Sequence, residues 1–137
     1  MPLLGHHSIN QPFHYLVGNT AALPWVALWL IIVSGFGEET LFRGYLFERL
    51  GKLFGNSRIA MLAIVLLTSA FFGLAHYPEQ GWIGVTQSTM AGLVYGTAFA
   101  ITGRIWAVMW AHAAFNLLAV SIIYLDLESE TSHLLIR

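Results

Sequence analysis

Residues 23–37 run fifteen positions without a charge, and the next six carry Glu38, Glu39 and Arg43. A run of that kind limits the backbone before any side chain is considered. In hydrocarbon no water satisfies a peptide group, so only helices and closed barrels remain. Further apolar runs follow at 59–76, 82–101 and 105–125. None alternates strongly enough to read as strands. The reading is an all-α, polytopic membrane bundle of about four transmembrane helices.

Composition agrees. Charged residues are 9% of the chain and hydrophobic residues 57%, whereas a soluble domain carries about 25% charged residues. The natural surroundings are membrane lipids. A net charge of -1 offers no basic face, so nucleic acid is not an expected partner. The absence of cysteine removes disulfides, thiolate zinc sites and a cysteine nucleophile.

The 137 residues suit a single membrane domain. Residues 1–20 form a polar arm with His6, His7 and His14 and no Lys or Arg. The arm lacks the basic start of a signal peptide, so no cleaved segment is expected. Its histidines read as loop composition rather than a metal site. The core is 23–125 and the tail 126–137. The first helix covers about 23–50, with Pro24 where proline is tolerated. Its second half carries Arg43, Glu48, Arg49 and Lys52 and is expected to leave the hydrocarbon along the interface. Gly51, Gly55, Asn56 and Ser57 form the expected first turn, and 77–81 the second. The third span holds Gly92-Leu-Val-Tyr-Gly96, small residues that let two helices approach. Arg49, Lys52, Arg58 and Arg104 place the first and third loops in the cytoplasm and both termini outside.

Three polar groups interrupt the apolar runs. An acidic or basic residue at a helix centre costs roughly 2.5–3.5 kcal/mol, so a chain that keeps several is using them. Glu39 and Arg43 are four apart and can pair on one helical face. Glu38 is rotated about 100° away and stays free for chemistry. A buried pair locking two helices would explain Glu39 and Arg43 but not Glu38. Phe72 and His76 share a face, as do His112 and Asn116 one turn apart. Each pair alone could be interfacial or packing decoration. Together, a free carboxylate, two imidazoles and a carboxamide supply the parts of peptide hydrolysis. Ser34 and Ser69 read as helix-packing residues, and Trp106 and Trp110 as packing or lipid-interface residues. Counting along the spans puts Glu38 and His112 in the inner half and His76 towards the outer end.

The order Glu-Glu-x-x-x-Arg, Phe-x-x-x-His, His-x-x-x-Asn resembles the signature of the CPBP family. That family comprises the type II CAAX prenyl endopeptidases and the bacteriocin-processing, or Abi, proteins. The resemblance covers about residues 23–125 and includes all three motifs. It implies an intramembrane endopeptidase of the cell (inner) membrane acting on a membrane-associated peptide or protein. Glu38 with His76 would activate water, His112 and Asn116 would hold the oxyanion, and Glu39, Arg43 and Phe72 would support them. No cofactor is required in that mechanism. A metalloprotease version would place zinc on Glu38, His76 and His112, although no two histidines have the spacing of a zinc-binding helix. Members of the family commonly carry further helices before this core. A homo-oligomer or helper subunit would then complete the cavity wall. The alternative function is a non-catalytic protein of the same fold, serving bacteriocin self-immunity or as a scaffold.

Overall fold

The computed structural model describes residues 11–128, and all regular elements among them are helical. His6, His7 and the tail beyond residue 128 lie outside the described residues. A short 3-10 helix, Gln11–Leu16, precedes four long helices. These are α1 (Leu23–Phe54), α2 (Arg58–Ala75), α3 (Tyr77–Thr102) and α4 (Ile105–Tyr124). The chain is an all-α bundle. By length and composition α1, α2 and α4 can cross a membrane. The expected fourth span, α3, is long but diluted by Thr86, Gln87, Ser88 and Thr89.

Local chemistry sets the ends. The Ala22 N–H donates to the Asn19 side-chain oxygen at 3.1 Å, and Pro24 lies in the first turn of α1. Ser57 caps α2 by accepting from the Ala60 N–H at 3.1 Å. The amphipathic half of α1 belongs to the same helix as the apolar half. The helix is continuous to Phe54 and includes Gly51, with Glu48 and Lys52 paired on its exposed side. A change in side-chain polarity does not interrupt a backbone ladder. The stretch 77–81 also differs from the expected turn. Tyr77–Gln80 open α3, and the break falls at Gly81, whose φ of 61° belongs to the region glycine tolerates.

Within α1, Leu30–Glu38 and Thr40–Leu46 adopt π-helical winding. Such winding bonds i to i+5, is rare, and is frequent at functional sites. It turns less per residue than an α-helix, which changes which side chains share a face.

Two close approaches fix the packing. A Cβ at Gly92 would lie 3.1 Å from the Ser69 Cα, so the small residues of α3 do admit α2. A Cβ at Gly35 would lie 2.8 Å from the Ala113 Cβ, which joins α1 to α4. Gly35→Ala is therefore expected to destabilise the bundle by about 1–3 kcal/mol through overpacking. Gly37→Ala, where the nearest neighbour is 3.5 Å away, is expected not to. Thermal unfolding of the two variants in detergent checks the difference.

The helix pairs are staggered. Phe72 touches His112, with ring centroids 5.8 Å apart. From that level α2 reaches His76 in four residues, while α4 continues for twelve, to Tyr124. Counted along its own axis, α4 thus runs about 12 Å further than α2. The first half of α1 rises beside α4, where Leu16, Leu30, Val120 and Ile123 form one cluster. The Gly18 N–H donates to the Tyr124 carbonyl at 3.1 Å and ties the arm to the same end. A cavity of about 510 Å³ lies here, lined by Pro12, Phe13, Tyr15, Trp25, Trp29 and Glu79.

Candidate active site

Glu39 and Arg43 are each 0% exposed. Arg43 Nη1 donates to Glu39 Oε1 at 3.0 Å, the pair expected from their spacing. Arg43 Nη2 donates to the Gly92 carbonyl at 2.8 Å. The guanidinium lies over the Phe72 ring at 5.0 Å and near Tyr95 at 5.9 Å, so it ties α1 to α2 and α3. A buried ion pair alone gains little, and the Gly92 carbonyl and the ring faces add to it here, while Arg43 Nε and Glu39 Oε2 have no hydrogen-bond partner among the described residues.

His112 arrives from α4. Its Nδ1 is 2.7 Å from Glu39 Oε1. Because a carboxylate accepts, Nδ1 carries the proton and Nε2 holds the lone pair in the neutral ring. Nε2 faces Glu38 Oε2 across 3.8 Å. That oxygen has no hydrogen-bond partner among the described residues. Glu39 thus takes Arg43 and the Nδ1 of His112, while Glu38 approaches the opposite nitrogen of the same ring and has no partner for its Oε2 among the described residues.

His76 closes α2. Its Nδ1 is 2.8 Å from the Phe72 carbonyl, so in the neutral ring Nδ1 carries the proton and Nε2 the lone pair. The apparent mismatch in depth arose from assigning equal heights to the spans. The stagger brings the end of α2 level with the middle of α1. Phe72, 2% exposed, is the hub. Its ring meets Phe42 at 5.1 Å, His76 at 4.9 Å and His112 at 5.8 Å, all edge-on. Asn116 lies one turn beyond His112, and its Nδ2 donates to Ser34 Oγ at 2.9 Å.

The structure therefore gathers Glu38, Glu39, Arg43, Phe72, His76, His112 and Asn116 from three helices. Two residues join them that sequence motifs missed. Ser34, read as packing, is buried, bonds Asn116 and lies beside Glu38. Its position four before Glu38 was the available signal. Tyr95 stacks on His112 with centroids 5.0 Å apart and planes at 26°. Its place between Gly92 and Gly96 was the only hint. Trp106 and Trp110 pack edge-on against Phe36 at 6.2 and 5.0 Å. His14 lies 3.4 Å from Glu128, away from the site.

Among the described residues no three His, Asp or Glu side chains are placed to share an ion. Glu38, His76 and His112 do not fit one as they stand.

Buried carboxylate, guanidinium and imidazole groups are thus set among helices long and apolar enough to cross a membrane. The sequence pattern of the type II CAAX prenyl endopeptidase Rce1-like proteins matches residues 20–118, and the chain belongs to that family of proteases. With three helices able to cross a bilayer, it is an integral membrane protein. It is also similar to YyaK of Bacillus subtilis (strain 168), described as an uncharacterized protein, at 32% identity over 108 residues. The match covers 72% of this chain and 34% of the relative, so the chain spans about a third of the length of that protein. No solved structure matches the chain.

Proposed function

We propose that the chain is the catalytic core of an intramembrane endopeptidase that hydrolyses a peptide bond with water activated by Glu38. One observation carries the reading. An unpartnered, buried Glu38 oxygen faces the Nε2 of His112 across 3.8 Å, too far for a direct hydrogen bond. Two buried acceptors facing each other lack a donor, which a water admitted with substrate supplies.

The chemistry follows from the hydrogen bonds. Glu38 removes a proton from water as the oxygen adds to the peptide carbonyl carbon. The carbonyl oxygen becomes an oxyanion. The C–N bond then breaks, and the proton on Glu38 passes to the leaving amine. The proton that Glu38 takes from water can be shared with His76. Passed to His112 Nε2, it lets that nitrogen donate to the oxyanion while Glu39 accepts from Nδ1, before it leaves with the amine. Asn116 donates to Ser34 at rest, and turning its amide to the oxyanion supplies a second donor.

The family description points to the peptide bonds of prenylated CAAX tails as the substrate class. A leader peptide or signal-like segment is chemically equivalent at the scissile bond. The cell membrane is the proposed location. A second copy or a helper subunit is the proposed source of any further cavity wall. Hydrolysis of a prenylated CAAX peptide by the purified protein in detergent tests the reading. Absence of turnover above the Glu38→Gln background would favour the scaffold or immunity role. Asn116→Ala is expected to lower kcat about 10²–10³-fold, as loss of an oxyanion donor does, with KM little changed. A change confined to KM would show that Asn116 binds substrate instead.

A further inference from the structure

We infer that Tyr95 is a positioning residue for His112, holding the imidazole plane so that Nδ1 stays on Glu39 and Nε2 stays directed at Glu38. The inference rests on the proposed hydrolytic role of that imidazole. None of the three polar motifs includes Tyr95.

A hydrogen bond from Nδ1 fixes one point of the ring but leaves it free to swing about that bond. Two further surfaces remove the freedom. Tyr95 lies nearly parallel to the ring, at 5.0 Å and 26°. Phe72 meets it edge-on, at 5.8 Å and 81°. The imidazole is thus held by a face, an edge and a hydrogen bond. Tyr95 is itself buried and its helix cannot rotate away. Gly92 seats α3 against Ser69, and the next small residue, Gly96, lies against Val65. The groups around His112 are Glu38, Glu39 and Arg43 from α1, Phe72 and His76 from α2, and Tyr95 from α3.

Tyr95 also serves the charge. The imidazolium needed at the oxyanion would lie on the negative face of the phenol ring, a cation–π contact. The Arg43 guanidinium lies 5.9 Å from the same ring, so one aromatic ring adjoins both cations. The role depends on a π face. Tyr95→Phe keeps it, and Tyr95→Leu removes it.

The test uses the full chain in detergent micelles with ¹⁵N-labelled histidine, the His112 signals being assigned with a His112→Gln control. The wild type should show His112 as one tautomer, protonated at Nδ1, with a downfield and slowly exchanging N–H. Tyr95→Phe should keep that signature, and kcat should stay within about twofold. Tyr95→Leu should show averaged tautomers and fast exchange, with kcat about tenfold lower and KM nearly unchanged, as expected of one lost aromatic contact. If the leucine variant does not fold, Tyr95→Met fills more of the ring volume and serves as the apolar arm with the same expected outcomes. An unchanged His112 signature in the apolar variant overturns the inference. So does loss of the signature in Tyr95→Phe, which would assign the role to the hydroxyl. The spectroscopic result decides even if the protein hydrolyses no peptide, so failure of the positioning role and failure of the proposed activity are separable.

Discussion

Glu38→Gln is expected to lower turnover by about 10⁴-fold, the upper end of what a positioned general base contributes, while the bundle melts as the wild type does. The substitution keeps the side-chain shape and removes only the proton acceptor. Glu38 has no ion pair inside α1 to lose, and its Oε2 has no hydrogen-bond partner. Stability should therefore not carry the effect. Thorough chelation provides a companion measurement. Activity that survives it supports carboxylate-activated water. Activity that is lost and returns with zinc supports a metal version, in which the site must first rearrange. Full activity of Glu38→Gln would sink both, since Glu38 is base in one and ligand in the other.

Arg43→Ala should act in the opposite way, on folding first. It leaves Glu39 buried without its cation and the Gly92 carbonyl without its donor. Breaking a fully buried pair from one side costs about 3–5 kcal/mol, a large part of the stability of a small domain. Low yield and a depressed melting temperature are expected. Arg43→Lys should recover only part, because an ammonium cannot bond the carboxylate and the carbonyl with a planar fork while lying on two rings. A normally folded Arg43→Ala protein with lost activity would instead assign Arg43 to substrate contact.

Much of this was legible in the sequence because polar groups in apolar runs are costly and therefore sparse. Glu38, Glu39, Arg43, His76, His112 and Asn116 stand out against their neighbours, and the Glu39–Arg43 spacing announced the pair. The rest depended on quantities that local sequence does not encode. The π-helical winding of α1 has no signature in Leu30–Leu46 comparable to a cap or a proline. It lies on both sides of Glu39 all the same. The level of His76 depended on how α2 lies along α1, which the contact of Phe72 with Phe42 at 5.1 Å records only once the helices are packed. Tyr95 was hidden because an aromatic in an apolar helix is ordinarily core. Only its parallel contact with His112 separates it from other rings.

The stagger between the helix pairs also bears on the surrounding lipid. Along its own axis α4 continues about 12 Å further than α2, which ends at His76, and Tyr77, Pro78, Glu79 and Gln80 follow at once. A shorter apolar length on one side is a hydrophobic mismatch, which costs fractions of a kcal/mol per Å. A leaflet thinned on that side is the expected response, and it would shorten the path from the headgroups to His76 and Glu38.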